Sequence, residues 1–193
     1  MARAYKVDTA SSTAIVATSV AKAHLKVDIS DDDSLIANLV AAATQAAEDY
    51  TNRYFMQATI TMKADTWDDI ETLYKSPVDS ITHIKYYDTN DSLQTLAASV
   101  YLADLYSMPA RISLMPDESF PNLSSRKMAV EVKYVVGEGT TTDTISDIVK
   151  QAVLLMVGHW YEHRSSVISG KTAMEIPMTS QMLLDQYKIQ VCR

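Results

Sequence analysis

Cysteine is almost absent from this sequence of 193 residues, and its one cysteine, Cys192, can form no intrachain disulfide. A fold held together by cross-links is therefore excluded, and a reducing compartment is expected. Long apolar runs are also missing: the longest, AVLLMVG at 152–158, is far shorter than the ~20 residues that a transmembrane helix needs. The opening residues, MARAYKVDTASS, have no apolar core of signal-peptide length. We therefore expect a soluble protein that is made in a cytoplasm and has no membrane partner.

Positive charge is scarce as well. The chain has 17 basic and 24 acidic residues, and its net charge is −7. Proteins that read a nucleic-acid sequence normally carry a clustered basic face, so this class of function is disfavoured. An acidic protein can nevertheless lie beside DNA without adhering to it. The length and the apolar content of 47% predict one domain with a sizeable core.

The first part of the chain, 10–56, has the pattern of helices. We predict a short helix within 10–27 and a longer one over 31–53, where apolar residues keep a 3.6-residue period for five turns. Ser30 and Asp33 have the S-x-x-D spacing of a capping box, which predicts the start of the longer helix.

The sequence pattern changes from helical to strand-like between 58 and 136. Short segments rich in β-branched residues and tyrosine alternate with turns rich in proline, aspartate and asparagine. We expect about six strands, which form a β-rich subdomain inserted between helices. The clearest pattern is a period-two apolar face made by Val130, Val132, Tyr134 and Val136.

A third helix is predicted over 144–163, with Thr144 or Asp143 as its cap. It is apolar nearly all round through its middle, so we expect a neighbouring subunit to cover part of it. The remainder, 165–193, has the pattern of a polar loop followed by a short helix over about 179–189. Together these segments predict a single α+β domain. Two N-terminal helices, the third helix and the short C-terminal helix form its core, and the β-rich subdomain is inserted.

His159, Glu162 and His163 form an H-x-x-E-H pattern, which is the zinc-ligand arrangement of one class of metallopeptidases. Two histidines four residues apart share a helix face, but a catalytic zinc needs a third protein ligand. The carboxylates that follow are Glu175 and Asp185, and neither has an evident geometry for this task. We therefore favour a structural interpretation, in which His159 lies at the end of a core stripe and His163 on the surface. A zinc metallopeptidase is the alternative.

Two further patterns do not match the sites that they suggest. SGKT at 169–172 lacks the first glycine of a phosphate-binding loop, and it follows a helix where that loop follows a strand. Asp28 and the three aspartates at 31–33 lack the spacing of a calcium-binding EF-hand loop. We therefore predict that the protein is not an enzyme and has no catalytic residue, no metal site and no cofactor.

The order of four segments is more informative than any single pattern. They are AKAHLKVD at 21–28, DDDSLIANLVAAATQAAEDYTNR at 31–53, SPVDSITHIKYYDTND at 76–91 and VKQAVLLMVGHWYEHR at 149–164. In these segments the sequence resembles the head–tail connector family of tailed bacteriophages, whose members are also called adaptor or head-completion proteins. The last segment of that family more often reads G-H-W-Y-E-N-R. His163 is thus a local variant, which weakens the metallopeptidase alternative further.

The resemblance implies a structural virion protein at the head–tail neck, made in the cytoplasm of the bacterial host. Such proteins form a ring, commonly twelvefold, beneath the portal at the DNA exit of the capsid. The implied partners are the portal protein, a stopper or tail-completion protein and further copies of the chain, and genomic DNA passes through without sequence-specific binding. Two alternatives remain open: another neck ring, such as a stopper or tail terminator, and the adaptor of a gene transfer agent.

Two sets of interface residues are predicted. The C-terminal segment is expected to become ordered on binding the portal, so that deletion of 178–193 would leave folding intact but abolish docking. Part of the third helix is expected to pack against a neighbouring subunit, and of the Trp160 and Tyr161 rings one is expected to be buried against the 31–53 helix and the other to lie at a subunit contact. The portal-interface candidates are Met182, Leu183, Leu184 and Tyr187, and the subunit-packing candidates are Trp160, Tyr161 and Met156.

Overall fold

A computed structural model describes residues 3–11, 13–163 and 176–189 of the chain. Its elements confirm the predicted α+β fold, and its strands are antiparallel. Within these ranges, no helix combines the length and the apolar character that a bilayer span requires. The strands are β1 (Arg3–Ala10), β2 (Ala58–Ala64), β3 (Thr72–Leu73), β4 (Val78–Tyr87), β5 (Leu93–Thr95), β6 (Tyr101–Asp104), β7 (Ala110–Leu114) and β8 (Val130–Val136). The helices are α1 (Thr18–Leu25), α2 (Asp33–Thr51), α3 (Asp147–Glu162) and α4 (Met178–Leu184).

The described residues form two compact units, each assembled from separate stretches of the chain. The sheet unit contains residues 3–11 and 57–138. The helical unit contains residues 13–56, 139–163 and 176–189. The predicted β-rich region between helices is therefore present, and β1 joins it from the N-terminal side of the helices.

The sheet unit is built around the strand with the clearest apolar alternation. β8 lies between β2 and β4 in a five-stranded antiparallel sheet of order β1-β2-β8-β4-β5. Side chains of a strand alternate between the two faces of its sheet, so an apolar residue at every second position gives one buried face. The predicted face of Val130, Val132, Tyr134 and Val136 is fully buried.

Strand β1 corrects the sequence prediction, which assigns a helix from residue 10 and no element before it. β1 pairs along its length with β2. The side chains of β1 after Arg3 are exposed. Because they do not enter a core, apolar and polar residues do not alternate clearly in this part of the sequence. The guanidinium of Arg3 lies 3.8 Å from the buried carboxylate of Asp69, and this ion pair holds the start of the strand.

The region from 58 to 136 has seven strands, one more than the number of about six that the sequence predicts. The additional strand, β5, is three residues long, and all three residues are exposed. The turn before it is organised by Asp88, whose carboxylate accepts hydrogen bonds from the N–H groups of Asn90 at 2.9 Å and Ser92 at 3.0 Å. Aspartate favours turns through such bonds to the backbone that follows it.

Three short strands form a second antiparallel sheet, of order β3-β7-β6. The Trp67 ring, which precedes β3, stacks on the Phe120 ring with centroids 4.5 Å apart and planes inclined by 7°. The indole N–H of Trp67 donates a hydrogen bond of 2.8 Å to the carbonyl oxygen of Pro121. These contacts attach the segment after β7 to the segment before β3.

The helical unit confirms the most strongly periodic prediction, which is helix α2. Its buried stripe keeps the 3.6-residue period expected of a helix with one face in a core. α1 is shorter than predicted and begins at Thr18, because the chain up to Ala10 belongs to the sheet. The buried residues of α2 are Ile36, Val40, Ala43, Ala47 and Thr51.

The predicted capping box of α2 is not formed. The helix begins at Asp33, and Asp32 occupies the N-cap position. Ser30 instead contributes its backbone carbonyl oxygen, which accepts a hydrogen bond of 3.1 Å from the N–H of Asp33. The Ser30–Asp33 spacing therefore marks the turn that precedes the helix.

Helix α3 begins three residues later than the predicted start at 144. Its N-cap is Ser146, whose hydroxyl oxygen accepts a hydrogen bond of 3.3 Å from the N–H of Ile148. The predicted caps, Asp143 and Thr144, belong to a preceding turn of 3-10 helix. Serine is among the preferred N-cap residues because its hydroxyl can satisfy an N–H group of the first turn.

Helix α3 does not leave a broad apolar seam for a neighbouring subunit, and that expectation is wrong. α1, α2 and α4 contact it within the same chain and cover its apolar residues. Two of its large apolar side chains are less covered: Ile148 is 36% exposed and Leu155 is half-buried. The buried residues of α3 are Val149, Ala152, Val153, Leu154, Met156, Val157 and Trp160.

Replacing Trp160 with alanine is expected to destabilise the helical unit by about 3–5 kcal/mol, the usual cost of truncating a buried tryptophan. Trp160 is 6% exposed and belongs to the helical core. The free energy of unfolding can be measured by chemical denaturation followed by circular dichroism. The control is Ile148→Ala on the exposed side of the same helix, which should cost about 1 kcal/mol or less. Equal losses for the two variants would contradict the core position of Trp160.

Candidate functional site

His159 and His163 lie together at the end of α3, with ring centroids 4.8 Å apart. Both side chains and Glu162 are exposed. His163 lies on the surface as predicted, but the expectation that His159 ends a core stripe is wrong, because Trp160 takes that position. Among residues 3–11, 13–163 and 176–189, no group of three or more His, Cys, Asp and Glu side chains could hold a metal ion. The SGKT segment at 169–172, Glu175 and Cys192 lie outside these ranges.

The three subunit-packing candidates make contacts inside their own chain. Met156 and Trp160 belong to the helical core, so neither offers a surface to a neighbour. The Tyr161 ring is half-buried, and its hydroxyl donates a hydrogen bond of 2.5 Å to the carboxylate of Asp32. Tyr161 therefore joins the end of α3 to the start of α2.

The C-terminal segment is attached to the helical unit by several hydrogen bonds. The N–H of Ile189 donates to the carbonyl oxygen of Thr51 at 2.8 Å. The Tyr50 hydroxyl donates to the Asp185 carboxylate at 2.6 Å, and this bond raises the pKa of Tyr50 above its ordinary value. Residues 176–189 of this segment are therefore packed on the helical unit of their own chain.

Tyr187 and Leu184 belong to the attached side of this segment. The Tyr187 hydroxyl donates a hydrogen bond of 2.6 Å to the hydroxyl oxygen of Ser146, the N-cap residue of α3. Leu184 is fully buried in the helical core, which removes it from the residues available to a partner. Deletion of 178–193 would remove Leu184 from this core, so we expect the deletion to destabilise the helical unit, in contrast to the prediction from the sequence that folding is left intact.

The exposed side of α4 carries two methionines. Met178 is 77% exposed and Met182 is 68% exposed, while Leu183 is half-buried. Residues four apart lie one above the other on a helix, so the two methionine side chains form one patch. We call Met178 and Met182 the methionine patch. The sequence prediction includes Met182 but omits Met178, because it begins the helix one residue later.

The turn between β6 and β7 presents an exposed aromatic residue that the sequence prediction misses. Tyr106 is 99% exposed. Asp104 holds the backbone beneath it: one carboxylate oxygen accepts the N–H groups of Tyr106 at 3.0 Å and Ser107 at 3.1 Å, and the other accepts the Ser107 hydroxyl at 2.5 Å. The Ser107 hydroxyl and these N–H groups lower the pKa of Asp104. An aspartate two residues before an aromatic and three before a serine is the available signal in the sequence.

An open groove of about 380 Å³ lies along the small sheet of the sheet unit. Carboxylate, guanidinium and hydroxyl groups contribute its polar lining, and aliphatic and aromatic side chains contribute the apolar lining. Its residues come from β7, from the start of β3 and from the segment after β7 that Trp67 holds in place. They include Glu71, Thr72, Arg111, Ile112, Leu114 and Phe120.

A family model described as head completion protein matches residues 14–188, which include α1 to α4 and β2 to β8. The chain belongs to the head completion protein family. The predicted resemblance to the head–tail connector, or head-completion, family is thereby confirmed. No curated protein sequence matches this head completion protein.

Solved structures with the same fold come from gene transfer agent (GTA) particles. The neck of an empty GTA particle, computed with C6 symmetry, gives a TM-score of 0.78 at 18% sequence identity, over 98% of this chain and 97% of that chain. The virion of a native GTA particle gives 0.77 at 18% identity, over the same shares. The neck of a native GTA particle, computed with C12 symmetry, gives 0.67 at 18% identity, over 95% of this chain and 96% of that chain. The fold of this head completion protein is shared along nearly its whole length.

Replacing Leu184 with alanine is expected to destabilise the helical unit by about 2–5 kcal/mol, because the substitution leaves a cavity in the core. Met182→Ala, on the exposed side of the same helix, is the matched control and should change stability by about 0.5 kcal/mol or less. Denaturant titrations of both variants give the two free energies. A Leu184 variant as stable as the Met182 variant would refute the attachment of α4 to the core.

Acidification is expected to loosen the turn at Tyr106. The pKa of Asp104 in the folded protein lies below its ordinary value of 3.8, so the ionised carboxylate stabilises the turn at pH values above 3.8. This stabilisation is lost as the pH falls below 3.8 and through the lower folded value. Amide hydrogen exchange at Tyr106 and Ser107 measures the effect. Asp104→Ala should remove the extra protection of these two amides at neutral pH, while Asp117→Ala, outside the turn, should leave it unchanged.

Proposed function

We propose that this chain is the adaptor of the head–tail neck: copies of it form a ring that joins the portal vertex to a stopper or tail-completion protein and extends the DNA exit channel. The match to the head completion family over residues 14–188 carries the proposal, because it includes nearly all of both units. The proposal assigns the chain a structural task and no catalytic step.

A ring of copies is supported by the symmetry of the related particles. Two of the solved GTA necks were computed with C6 and C12 symmetry, and chains of this fold are present in them. Rotational symmetry requires each copy to contact its neighbour through two different surfaces. Because the helical core is covered within each copy, these contacts join subunits that are already folded.

The charge of the chain suits a passage for DNA. Each copy has a net charge of −7, so a ring concentrates negative charge around its axis. DNA phosphate groups that pass such a ring meet no excess of lysine and arginine. Binding is therefore not favoured by the release of counterions from the DNA. Repulsion of this kind allows a polyanion to slide without being retained.

The methionine patch is the surface that we assign to the portal. Met178 and Met182 project from a helix whose other side is fixed in the core through Leu184, so the patch is held in place before binding. Methionine side chains are flexible and polarisable, and they adapt to an irregular apolar partner. Leu183 borders the patch as a half-buried residue, whereas Tyr187 is attached to Ser146.

The double variant Met178→Ser/Met182→Ser is expected to weaken binding to the purified portal by about tenfold or more, the effect of losing roughly 1.4 kcal/mol or more of contact energy. Its free energy of unfolding should stay close to that of the unmodified chain, since both side chains are exposed. Sedimentation or mass measurements of the chain with and without portal provide the dissociation constant and the number of copies bound.

Ile29→Ser is the control for this experiment. Ile29 belongs to the same unit, is 61% exposed and lies before α2, outside the patch. It should bind the portal as the unmodified chain does. Unchanged portal binding by the double variant would refute the assignment of the patch, and a chain that forms no ring on the portal would refute the adaptor function itself.

A further inference from the structure

The proposed ring needs two different surfaces on each copy, and the sheet unit offers two candidates, one projecting and one concave. One is the tyrosine turn, residues 104–109, which projects Tyr106. The other is the groove along the small sheet. Tyr106 is 99% exposed, so it does not occupy the groove of its own chain.

The tyrosine turn is organised before any partner binds. The backbone N–H groups of Tyr106 and Ser107 and the Ser107 hydroxyl all donate to the Asp104 carboxylate, so binding has little backbone entropy to remove. A tyrosine side chain offers a large contact area with few rotatable bonds, and tyrosine is enriched among the residues that dominate binding energy. A large aromatic side chain held almost fully in water by a rigid turn is suited to insertion into a partner.

The groove is large enough to admit a phenol ring, and its lining offers both apolar and polar contacts to one. Its volume of about 380 Å³ is in the range of about 300–1,000 Å³ found for sites that bury small ligands. Phe120 and Leu114 provide apolar surface for the ring, and the carboxylate of Glu71 can accept a hydrogen bond from the phenol hydroxyl. The Phe120 wall is fixed by its stack on Trp67, so the groove also exists before binding.

We infer that Tyr106 of one copy inserts into the groove of the next copy, between Phe120 and Glu71, and that this contact links neighbouring subunits. The inference rests on the proposed ring, whose rotational symmetry requires a head-to-tail contact of this kind. The occupant of the groove is thus a second copy of this chain, and the turn and the groove are the two halves of one interface.

Disulfide trapping between differently labelled copies tests the contact. One variant carries Met108→Cys, beside Tyr106 on the turn, and the other carries Thr72→Cys in the groove, both in a Cys192→Ser background. Mixed on the portal under oxidising conditions, the two variants should form a cross-linked dimer. Adding Tyr106→Ser to the Met108→Cys chain should reduce the yield at least tenfold, whereas Tyr106→Phe should retain most of it. Leu93→Cys, on exposed β5 of the same unit, replaces Met108→Cys as the control and should give no cross-link.

The outcomes separate this inference from the adaptor function. Rings that form without the cross-link, and in which Tyr106→Ser leaves assembly unchanged, overturn the inference and leave the adaptor function standing. A cross-link from Met108→Cys to the portal or to a tail component overturns it too, because the turn then has a different partner. Absence of any ring on the portal overturns both proposals.

Discussion

The burial of α3 is the constraint on which the helical unit depends. Its apolar side chains contact α1 and α2 from one end of the chain and α4 from the other, so three distant segments must meet around one helix. Removing this apolar surface from water is the main stabilising term of such a core. The helical core is therefore covered within one chain, and the surface available to a partner consists of smaller features.

Each unit presents such a feature on a rigid support. In the helical unit, the same helix that buries Leu184 exposes Met178 and Met182. In the sheet unit, Asp104 holds the turn that exposes Tyr106. Exposed apolar side chains cost less conformational entropy on binding when the backbone below them is already fixed. Each unit thus exposes large side chains on a fixed backbone, which is a helix in one unit and a turn in the other.

Strong periodicity made much of the fold predictable from the sequence. The stripe of α2 and the alternation of β8 are buried as expected, because in these elements one face meets the core along the whole length. β1 and β5 were not predicted, because their side chains are exposed and their sequences lack the apolar alternation that a buried face produces. Candidate interface residues were predicted less well. Apolar character identified Leu184 and Met182 equally, and the side of α4 on which each lies depends on where the helix begins and what it packs against.

A ribosome making this chain releases β1 and β2 long before their common neighbour exists. β8 joins β2 to β4, and it is the last of the eight strands to emerge, after more than two-thirds of the 193 residues. Until then the inner edge of β2 has no strand beside it, and an unpaired strand edge is a template for pairing with other chains. Completion of the sheet is thus delayed to late translation, when the nascent copy is most exposed to mispairing. A chain that pairs β8 promptly once it emerges shortens the time during which the edge of β2 can pair with another chain.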